Sequence, residues 1–275
     1  MERITYENGV HIISNDDYHS SNGLSRSALW QLTKSPKHFF YHYLDVNKEP
    51  EDDGIALIRG EAVHTLVLEP MKFRERFVIQ PEINKRTKLG KAEYEEFMLR
   101  NEGLNIITKE QYDEFYAIAD SVLMHEWSSG LFSDAKIEQS IFFTHEKTGL
   151  QCKVKPDAWL GSVVTDLKTT SDASPRAFKS SAYKYGYFLQ CGMIKCALES
   201  IGETLEEFVF FCVETSKPYP CALYRVPQEV FTYGVQIFDN LMLRMEQCLR
   251  EQQFEDYGVQ WLTLPSWANF DDFLE

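Results

Sequence analysis

The chain has 275 residues, a formal net charge of −14, and 44% hydrophobic and 14% aromatic residues. This composition predicts a folded protein with a substantial core and excludes an intrinsically disordered chain. No apolar run approaches the roughly 20 residues of a membrane-spanning helix, and residues 1–7 lack the apolar core of a secretory signal. We therefore expect a cytoplasmic protein without a membrane partner.

The acidic balance argues against a nucleic-acid partner, because proteins that bind the phosphate backbone usually carry a basic surface. A local basic groove is nevertheless compatible with an acidic total. The cationic side chains cluster at Lys34 and Lys37; at Lys85, Arg86, Lys88 and Lys91; at Lys153 and Lys155; and at Arg176, Lys179 and Lys184. A nucleic-acid-binding function therefore stays open.

The N-terminal half is predicted to be mainly helical. Residues 24–44 have a helical pattern interrupted at Ser35-Pro36, and residues 55–68 predict a second helix. Residues 81–91 are polar and basic, which is typical of a mobile loop. Residues 108–111 form a capping-box pattern that opens a third helix.

Strands are predicted to follow in the second half. The elements are strands at 137–145, 150–160 and 162–168, a helix from Ser174-Pro175 to 200, strands at 208–214 and 222–226, and a final helix that Pro227 opens. This order predicts an α/β fold with a mixed central β-sheet flanked by helices.

The chain shows no internal repeat and no Gly/Ser linker, which favours a single domain. We expect this domain at residues 1–253, with a core at about 55–250 and an N-terminal helical segment at 15–50. Residues 254–275 form an aromatic and acidic tail without an assigned structure.

The residues that point most clearly to chemistry lie in two neighbouring predicted strands. Asp157 precedes Asp166 by nine residues, Lys168 follows two residues later, and a Gly161-Ser162 turn separates the strands. Alternation along a strand places Asp166 and Lys168 on the same face. Two carboxylates and a lysine suit phosphodiester hydrolysis with Mg²⁺, which prefers oxygen ligands. The structural alternative is that the aspartates end strands or cap turns and that the lysine forms a salt bridge.

Other side chains also have both a structural and a functional interpretation. His64 lies in an apolar helix, where a lone histidine is usually a packed residue, although neutral imidazole can complete a carboxylate metal site. Glu138 is either a solvated charge at a strand start or a site residue. Gln190 is either an interior amide bonded to the backbone or a site residue. Thr169 either caps the next segment or contacts a phosphate.

Several spaced motifs occur together in this chain. They are Gly60-x-x-x-His64, Leu68-Glu69-Pro70, Glu138, Lys155-x-Asp157, Asp166-Leu167-Lys168-Thr169-Thr170 and Tyr187-x-x-Gln190, preceded by Tyr18-His19, Leu24-Ser25-Arg26-Ser27 and Ser35-Pro36. Over about residues 15–250, this set resembles the PD-(D/E)xK nucleases of the RecB-like branch. It is most similar to the C-terminal nuclease domain of exonuclease VIII (RecE) and its phage-encoded relatives. The resemblance implies a restriction-endonuclease-like core.

The resemblance also implies an activity: a Mg²⁺-dependent exonuclease, with Mn²⁺ as a substitute, that digests one strand of linear double-stranded DNA from the 5′ end. The 3′ overhang would pass to a single-strand annealing protein during phage or prophage recombination. Family members assemble as rings around DNA, so a homo-oligomer is implied. By position, the metal ligands would be His64, Asp157, Asp166 and the main-chain carbonyl of Leu167.

The remaining roles follow from position in the same motifs. The implied catalytic residues are Lys168, Asp166, Asp157, Gln190 and Glu138. The candidate substrate contacts are Arg26, Ser27 and Ser35 for a 5′ phosphate, together with Lys155, Thr169 and Tyr187. Ile194 stands where the family motif Gln-x-x-x-Tyr has its tyrosine. An iron–sulfur cluster is not expected, because no cysteine precedes Cys152.

Two alternatives stay open on the same fold. One is a catalytically weak protein that binds DNA ends, which the acidic charge and Ile194 favour. The other is an endonuclease or a repair nuclease.

Overall fold

The computed structural model describes residues 3–48 and 54–264 of the chain. Within these ranges the helices are α1 Asn15–Ser20, α2 Arg26–Lys34, α3 Pro36–Tyr43, α4 Ile55–Leu68, α5 Phe73–Arg76, α6 Lys88–Arg100, α7 Lys109–Leu123, α8 Ser128–Phe132, α9 Pro175–Lys184, α10 Tyr187–Ser200 and α11 Gln228–Glu251. The strands are β1 Gly9–His11, β2 Phe77–Ile79, β3 Asn105–Ile107, β4 Lys136–Ile137, β5 Ser140–Thr144, β6 Gln151–Val154, β7 Ala158–Leu160, β8 Val163–Thr170, β9 Glu207–Glu214 and β10 Cys221–Arg225. No helix within the described ranges is both long and apolar enough to cross a bilayer.

The central sheet has five strands in the order β10-β9-β8-β7-β4. Strands β8 and β9 are parallel, whereas β10, β7 and β4 pair antiparallel with their neighbours. This pairing confirms the predicted mixed sheet. Two smaller sheets, β1-β5-β6 and β2-β3, account for the other described strands.

Apolar cores lie on both faces of the central sheet, because side chains alternate along its strands. Val164 and Phe210 belong to a core that also contains residues of α2, α3, α9, α10 and α11. Leu167 and Phe211 lie an odd number of residues from Val164 and Phe210 in the same strands, so they point to the opposite face. They belong to a second core with α4, α5 and α7. Helices therefore flank the sheet as predicted, with α10 and α4 against opposite faces of β8.

Two predicted strands are each divided in the structure. Residues 137–145 split into β4 and β5, which belong to different sheets, and the break is at Glu138, whose φ is +50°. Residues 150–160 split into β6 and β7 around Lys155-Pro156-Asp157, where proline has no N–H for a strand ladder. The single-strand predictions were wrong at these two places, and both breaks carry candidate site residues.

The helix predicted from residue 174 to 200 is also divided, into α9 and α10. The break is at Gly186, which has a φ of +69°, and a Cβ there would lie 2.3 Å from the ring of Trp30. In contrast, the predicted interruption at Ser35-Pro36 is confirmed, because Ser35 ends α2 and caps α3. The capping box that opens α7 is confirmed as well.

Some elements had no counterpart in the sequence prediction. Strands β1, β2 and β3 have three residues each, too few for a periodic pattern, and α6 begins at Lys88, so the loop predicted at 81–91 is too long. The start of the tail packs on α3, where the ring centroids of Phe254 and Phe39 are 6.2 Å apart. The tail residues 265–275 lie outside the described residues, and the domain limits stay a prediction.

Candidate metal and catalytic site

The β7–β8 hairpin sets the spacing of the two aspartates. Ala158 of β7 is opposite Thr165 of β8, and Gly161-Ser162 form the turn between the strands, as predicted. Asp157 directly precedes β7, and Asp166 lies within β8. The hairpin therefore brings the two carboxylates to the same part of the central sheet.

Asp157 is held by β8 and lies close to α4. Its Oδ2 accepts a hydrogen bond from the main-chain N–H of Leu167 at 2.8 Å and lies 3.5 Å from Nδ1 of His64. Its main-chain carbonyl accepts a hydrogen bond from the N–H of Glu138 at 3.1 Å. The side chains of His64, Glu138 and Asp157 each offer one ligand atom, and these atoms all lie within 4.8 Å of one another. The structure thus brings three predicted site residues into one cluster.

The electrostatics of this cluster fit a divalent cation. Burial, followed by the charge of Asp157, raises the pKa of Glu138 to about 7. Burial, followed by the charge of Asp166, raises the pKa of Asp157 to about 8. Burial, with help from Lys168, lowers the pKa of His64, so the imidazole is neutral, as a metal ligand must be. Crowded buried carboxylates need a counter-charge, and a divalent cation supplies one.

Asp166 lies beside the cluster, and protein groups hold both of its oxygens. Nζ of Lys168 lies 2.5 Å from Oδ2, and Nε2 of Gln190 donates to Oδ1 at 2.5 Å. Burial opposes the charge of Lys168, but Asp166 and Asp157 outweigh this effect and raise the pKa of the lysine. The same Nζ lies 4.9 Å from the ring centre of Tyr187. Metal binding by Asp166 and by the carbonyl of Leu167 stays a prediction.

The residue at position 194, Ile194, belongs to the apolar core. Ile194 is buried one turn after Gln190 on α10 and packs with the core residues of that face. The hydrogen bond from Gln190 to Asp166 therefore forms without a hydroxyl at position 194. No described residue donates to Oε1 of Gln190. This leaves the amide one buried acceptor for a water molecule or a substrate group.

A basic cleft of about 400 Å³ opens beside these residues. Its cationic lining consists of Arg3, Arg26, Lys153 and Lys155. Glu138 is the one carboxylate among the described residues that line it, and Gln190 also contributes. A local basic surface therefore exists within the net charge of −14, as the clustering of cationic residues suggested.

Of the six candidate substrate contacts, three line the basic cleft, and Ser35, Thr169 and Tyr187 lie elsewhere. Arg26, Ser27 and Lys155 line the basic cleft. Ser35 is 2% exposed, caps α3 with its hydroxyl, and is not among the described residues that line this cleft. Thr169 is half-buried in β8. Their roles toward a substrate stay predictions.

Two further contributors, Asn15 and Lys153, were not among the predicted site residues. Oδ1 of Asn15 in α1 accepts a hydrogen bond from Lys155, whose Nζ also lies 3.4 Å from Oε2 of Glu138. Lys153 donates to main-chain carbonyls at the end of α1. The spacing Lys153-x-Lys155 was an available signal, because extended chain projects both side chains to the same side. For Asn15 the sequence holds no comparable signal.

Comparisons with known proteins agree with this architecture. Residues 25–259 match the model of a family described as a PDDEXK-like domain of unknown function, DUF3799. The crystal structure of a "Putative exonuclease" from Eubacterium rectale is similar over 93% of this chain and 96% of that chain, with a TM-score of 0.62 and 14% sequence identity. At that identity the likeness shows the fold. The crystal structure of SSO0001 is 14% identical over 78% of this chain and 85% of that chain, with a TM-score of 0.30. No curated protein matches the chain.

Proposed function

The chain belongs to the DUF3799 family of PDDEXK-like domains, and we propose that it is a divalent-metal-dependent nuclease that acts on DNA. The observation that carries this proposal is the cluster of His64, Glu138 and Asp157, whose ligand atoms lie within 4.8 Å of one another. The Asp166–Lys168 pair lies next to it. A structural salt bridge alone would not require a neutral imidazole and further carboxylates at the same place.

His64, Glu138 and Asp157 would hold the cation, with Asp166 and the carbonyl of Leu167 as further oxygen ligands. A bound divalent cation supplies positive charge for the phosphate and a nucleophilic water at neutral pH. The N–H of Leu167 orients the carboxylate of Asp157 before a substrate arrives.

The ammonium of Lys168 stabilises the negative charge that develops on the scissile phosphate, or it orients the attacking water. The pair with Asp166 keeps this ammonium charged although it is buried. Gln190 holds the other oxygen of Asp166, so α10 supports the direction in which Lys168 points.

The basic cleft, with Arg3, Arg26 and Lys155 in its lining, suits the phosphate backbone of DNA. We propose linear double-stranded DNA as the substrate, Mg²⁺ as the cation and digestion from the 5′ end, because the sequence resemblance implies them. A ring-shaped homo-oligomer and a single-strand annealing partner are proposed on the same basis.

The test is digestion of a linear duplex labelled separately at each end, with Mg²⁺ present. The wild-type protein should release nucleotides from the 5′-labelled end first, and Asp166→Ala should release none while its circular dichroism spectrum is unchanged. Asp113→Ala, which removes an exposed aspartate of α7, is the matched control and should digest normally. Full activity in Asp166→Ala would remove the site assignment.

The same assay separates the alternatives. Cleavage of a closed circular duplex would identify an endonuclease, because a circle offers no end. Binding of duplex ends without nucleotide release in Mg²⁺ or Mn²⁺ would identify a catalytically weak binding protein. The mass of the protein in solution, measured with and without duplex DNA, tests the proposed ring.

A further inference from the structure

The ammonium of Lys153 is buried in the wall of the basic cleft. The residue is 5% exposed, and its Nζ donates to the carbonyl of Tyr18 at 2.6 Å and to the carbonyl of Ser21 at 2.8 Å. The hydroxyl of Ser21 and the carbonyl of His19 lie 3.2 and 3.5 Å away. These oxygens belong to the last turn of α1 and the residue that ends it, so Lys153 caps the carboxyl end of this helix.

The contact is reciprocal. The hydroxyl of Tyr18 donates to the main-chain carbonyl of Lys153 at 3.3 Å, and the ring of Tyr18 lies 4.9 Å from Nζ. The adjoining chain is fixed as well, because Leu24 exchanges main-chain hydrogen bonds with Gln151 and Lys153 of β6. The segment from α1 to the start of α2 is thus attached to β6 along its length.

These contacts use all the N–H donors of the Lys153 ammonium. An ammonium has three hydrogens, and four oxygens of α1 and its end already surround this one. Burial lowers the pKa of Lys153 to about 8, and the positive charge of Arg3 lowers this pKa further. The four oxygens therefore offset the burial of the charge, and the ammonium has no donor left for a phosphate.

Lys155 holds the other end of the same helix. Its ammonium donates to Oδ1 of Asn15, the first residue of α1, and its Nζ lies 3.4 Å from Oε2 of Glu138. Lys153 and Lys155, which are separated by one residue, therefore hold α1 at its two ends. At the amino end, Lys155 also contacts Glu138, which is a candidate metal ligand.

We infer that Lys153 is a positioning residue, which fixes α1 across the basic cleft and thereby places Asn15 where it holds Lys155 against Glu138. It does not bind the substrate itself. Loss of its ammonium frees the carboxyl end of α1, lets Asn15 leave Lys155, and alters the cleft wall. The Asp166, Lys168 and Gln190 contacts do not involve α1 and are retained.

The test compares Lys153→Met with Lys153→Arg in the full chain. In Lys153→Met, hydrogen exchange should accelerate by about tenfold or more at the amides of Tyr18 and Ser21, which donate within α1, while β8 and β9 keep their protection. Lys153→Arg keeps the charge and should restore most of the protection. On duplex DNA, Lys153→Met should raise KM more than it lowers kcat.

Lys109→Met, which removes an exposed lysine of α7, is the matched control and should leave exchange and kinetics unchanged. If Lys153→Met does not fold, Tyr18→Phe removes the reciprocal hydrogen bond alone and should give a smaller acceleration at the same amides. If the folded Lys153→Met or Tyr18→Phe variant had the wild-type rate of hydrogen exchange in α1, the inference would be overturned. The kinetic part rests on the proposed nuclease function, whereas the exchange part does not, so failure of one is distinguishable from failure of the other.

Discussion

Nε2 of Gln190 donates a 2.5 Å hydrogen bond to Oδ1 of Asp166, which joins helix α10 to strand β8 at the centre of the candidate site. Lys168 faces the second oxygen of the same carboxylate at 2.5 Å. Each oxygen of a carboxylate that is 1% exposed therefore has its own partner. The position of this carboxylate depends on the helix as well as on the strand.

Gln190→Leu tests the contribution of the helix. The variant removes the donor and leaves one oxygen of Asp166 without a hydrogen bond, so kcat/KM should fall roughly 10- to 100-fold, since a hydrogen bond to a charged group contributes about 1.5–3 kcal/mol. Steady-state digestion of linear duplex DNA measures this change. Gln247→Leu, in an exposed part of α11, is the control. Equal kcat/KM for Gln190→Leu and wild type would show that α10 does not position the carboxylate.

Lys168→Met tests the buried ion pair. Removing the ammonium leaves Asp166 as an unpaired buried carboxylate, so the free energy of unfolding should fall by about 3 kcal/mol and digestion should stop. The double variant Lys168→Met/Asp166→Asn removes both charges and should regain part of the stability without regaining activity. Urea unfolding and the digestion assay measure the two effects. Recovery of activity in the double variant would exclude the proposed role of Lys168.

Asp157→Asn tests cation binding without relying on activity. A cation that binds only the folded state stabilises it by about 2.7 kcal/mol at one hundred times its Kd, so Mg²⁺ or Mn²⁺ should raise the melting temperature of the wild-type protein. Asp157→Asn loses a charged ligand candidate and should show a much smaller rise. Asp113→Asn should behave as wild type. The same rise in wild type and Asp157→Asn would place the cation elsewhere.

The parts of the site that were predictable from the sequence are local. Asp166 and Lys168 are two residues apart in one strand, so alternation alone predicts that they share a face, and the structure places them 2.5 Å apart. The Gly161-Ser162 turn predicts the hairpin between the aspartates in the same way. In both cases the relationship is set by a few consecutive residues.

The contacts that join distant segments were not predictable from such patterns. The approach of His64 to Asp157 depends on how α4 packs against the sheet, so it was implied by the resemblance to the nuclease family and not by the periodicity or spacing around either residue. The break between α9 and α10 depends on Trp30, which leaves no room for a Cβ at Gly186. Asn15 reaches the site only because α1 is attached to β6. Tertiary packing decides each of these features.

The raised pKa values predict a pH dependence of the cation-free protein. The pKa of Glu138 is about 7 and that of Asp157 about 8, both above their ordinary values. Between about pH 5 and pH 8 the folded state therefore retains protons that the unfolded chain has lost, and the stability contributed by these groups falls as pH rises. Urea unfolding in EDTA should show wild type losing stability relative to Asp157→Asn over this range. A constant difference between the two proteins would contradict the prediction.

Gly192→Ala tests whether the crossing of α10 and α11 supports the site. A Cβ on Gly192 would lie 2.2 Å from the carbonyl carbon of Gly234, and a Cβ on Gly234 would lie 2.2 Å from the carbonyl oxygen of Phe188, so the two helices touch through their backbones. Alanine at 192 must push α11 from α10, and the free energy of unfolding should fall by about 3 kcal/mol.

The same variant should also affect activity, because Gln190 lies on α10 two residues before Gly192. Displacement of the helix should weaken the hydrogen bond from Gln190 to Asp166 and lower kcat/KM, even at temperatures where the variant is fully folded. Gly130→Ala, where a Cβ meets no atom within 4 Å, should change neither quantity. A wild-type free energy of unfolding in Gly192→Ala would mean that the two helices move apart at no cost in stability. An unchanged kcat/KM would mean that the site does not depend on their crossing.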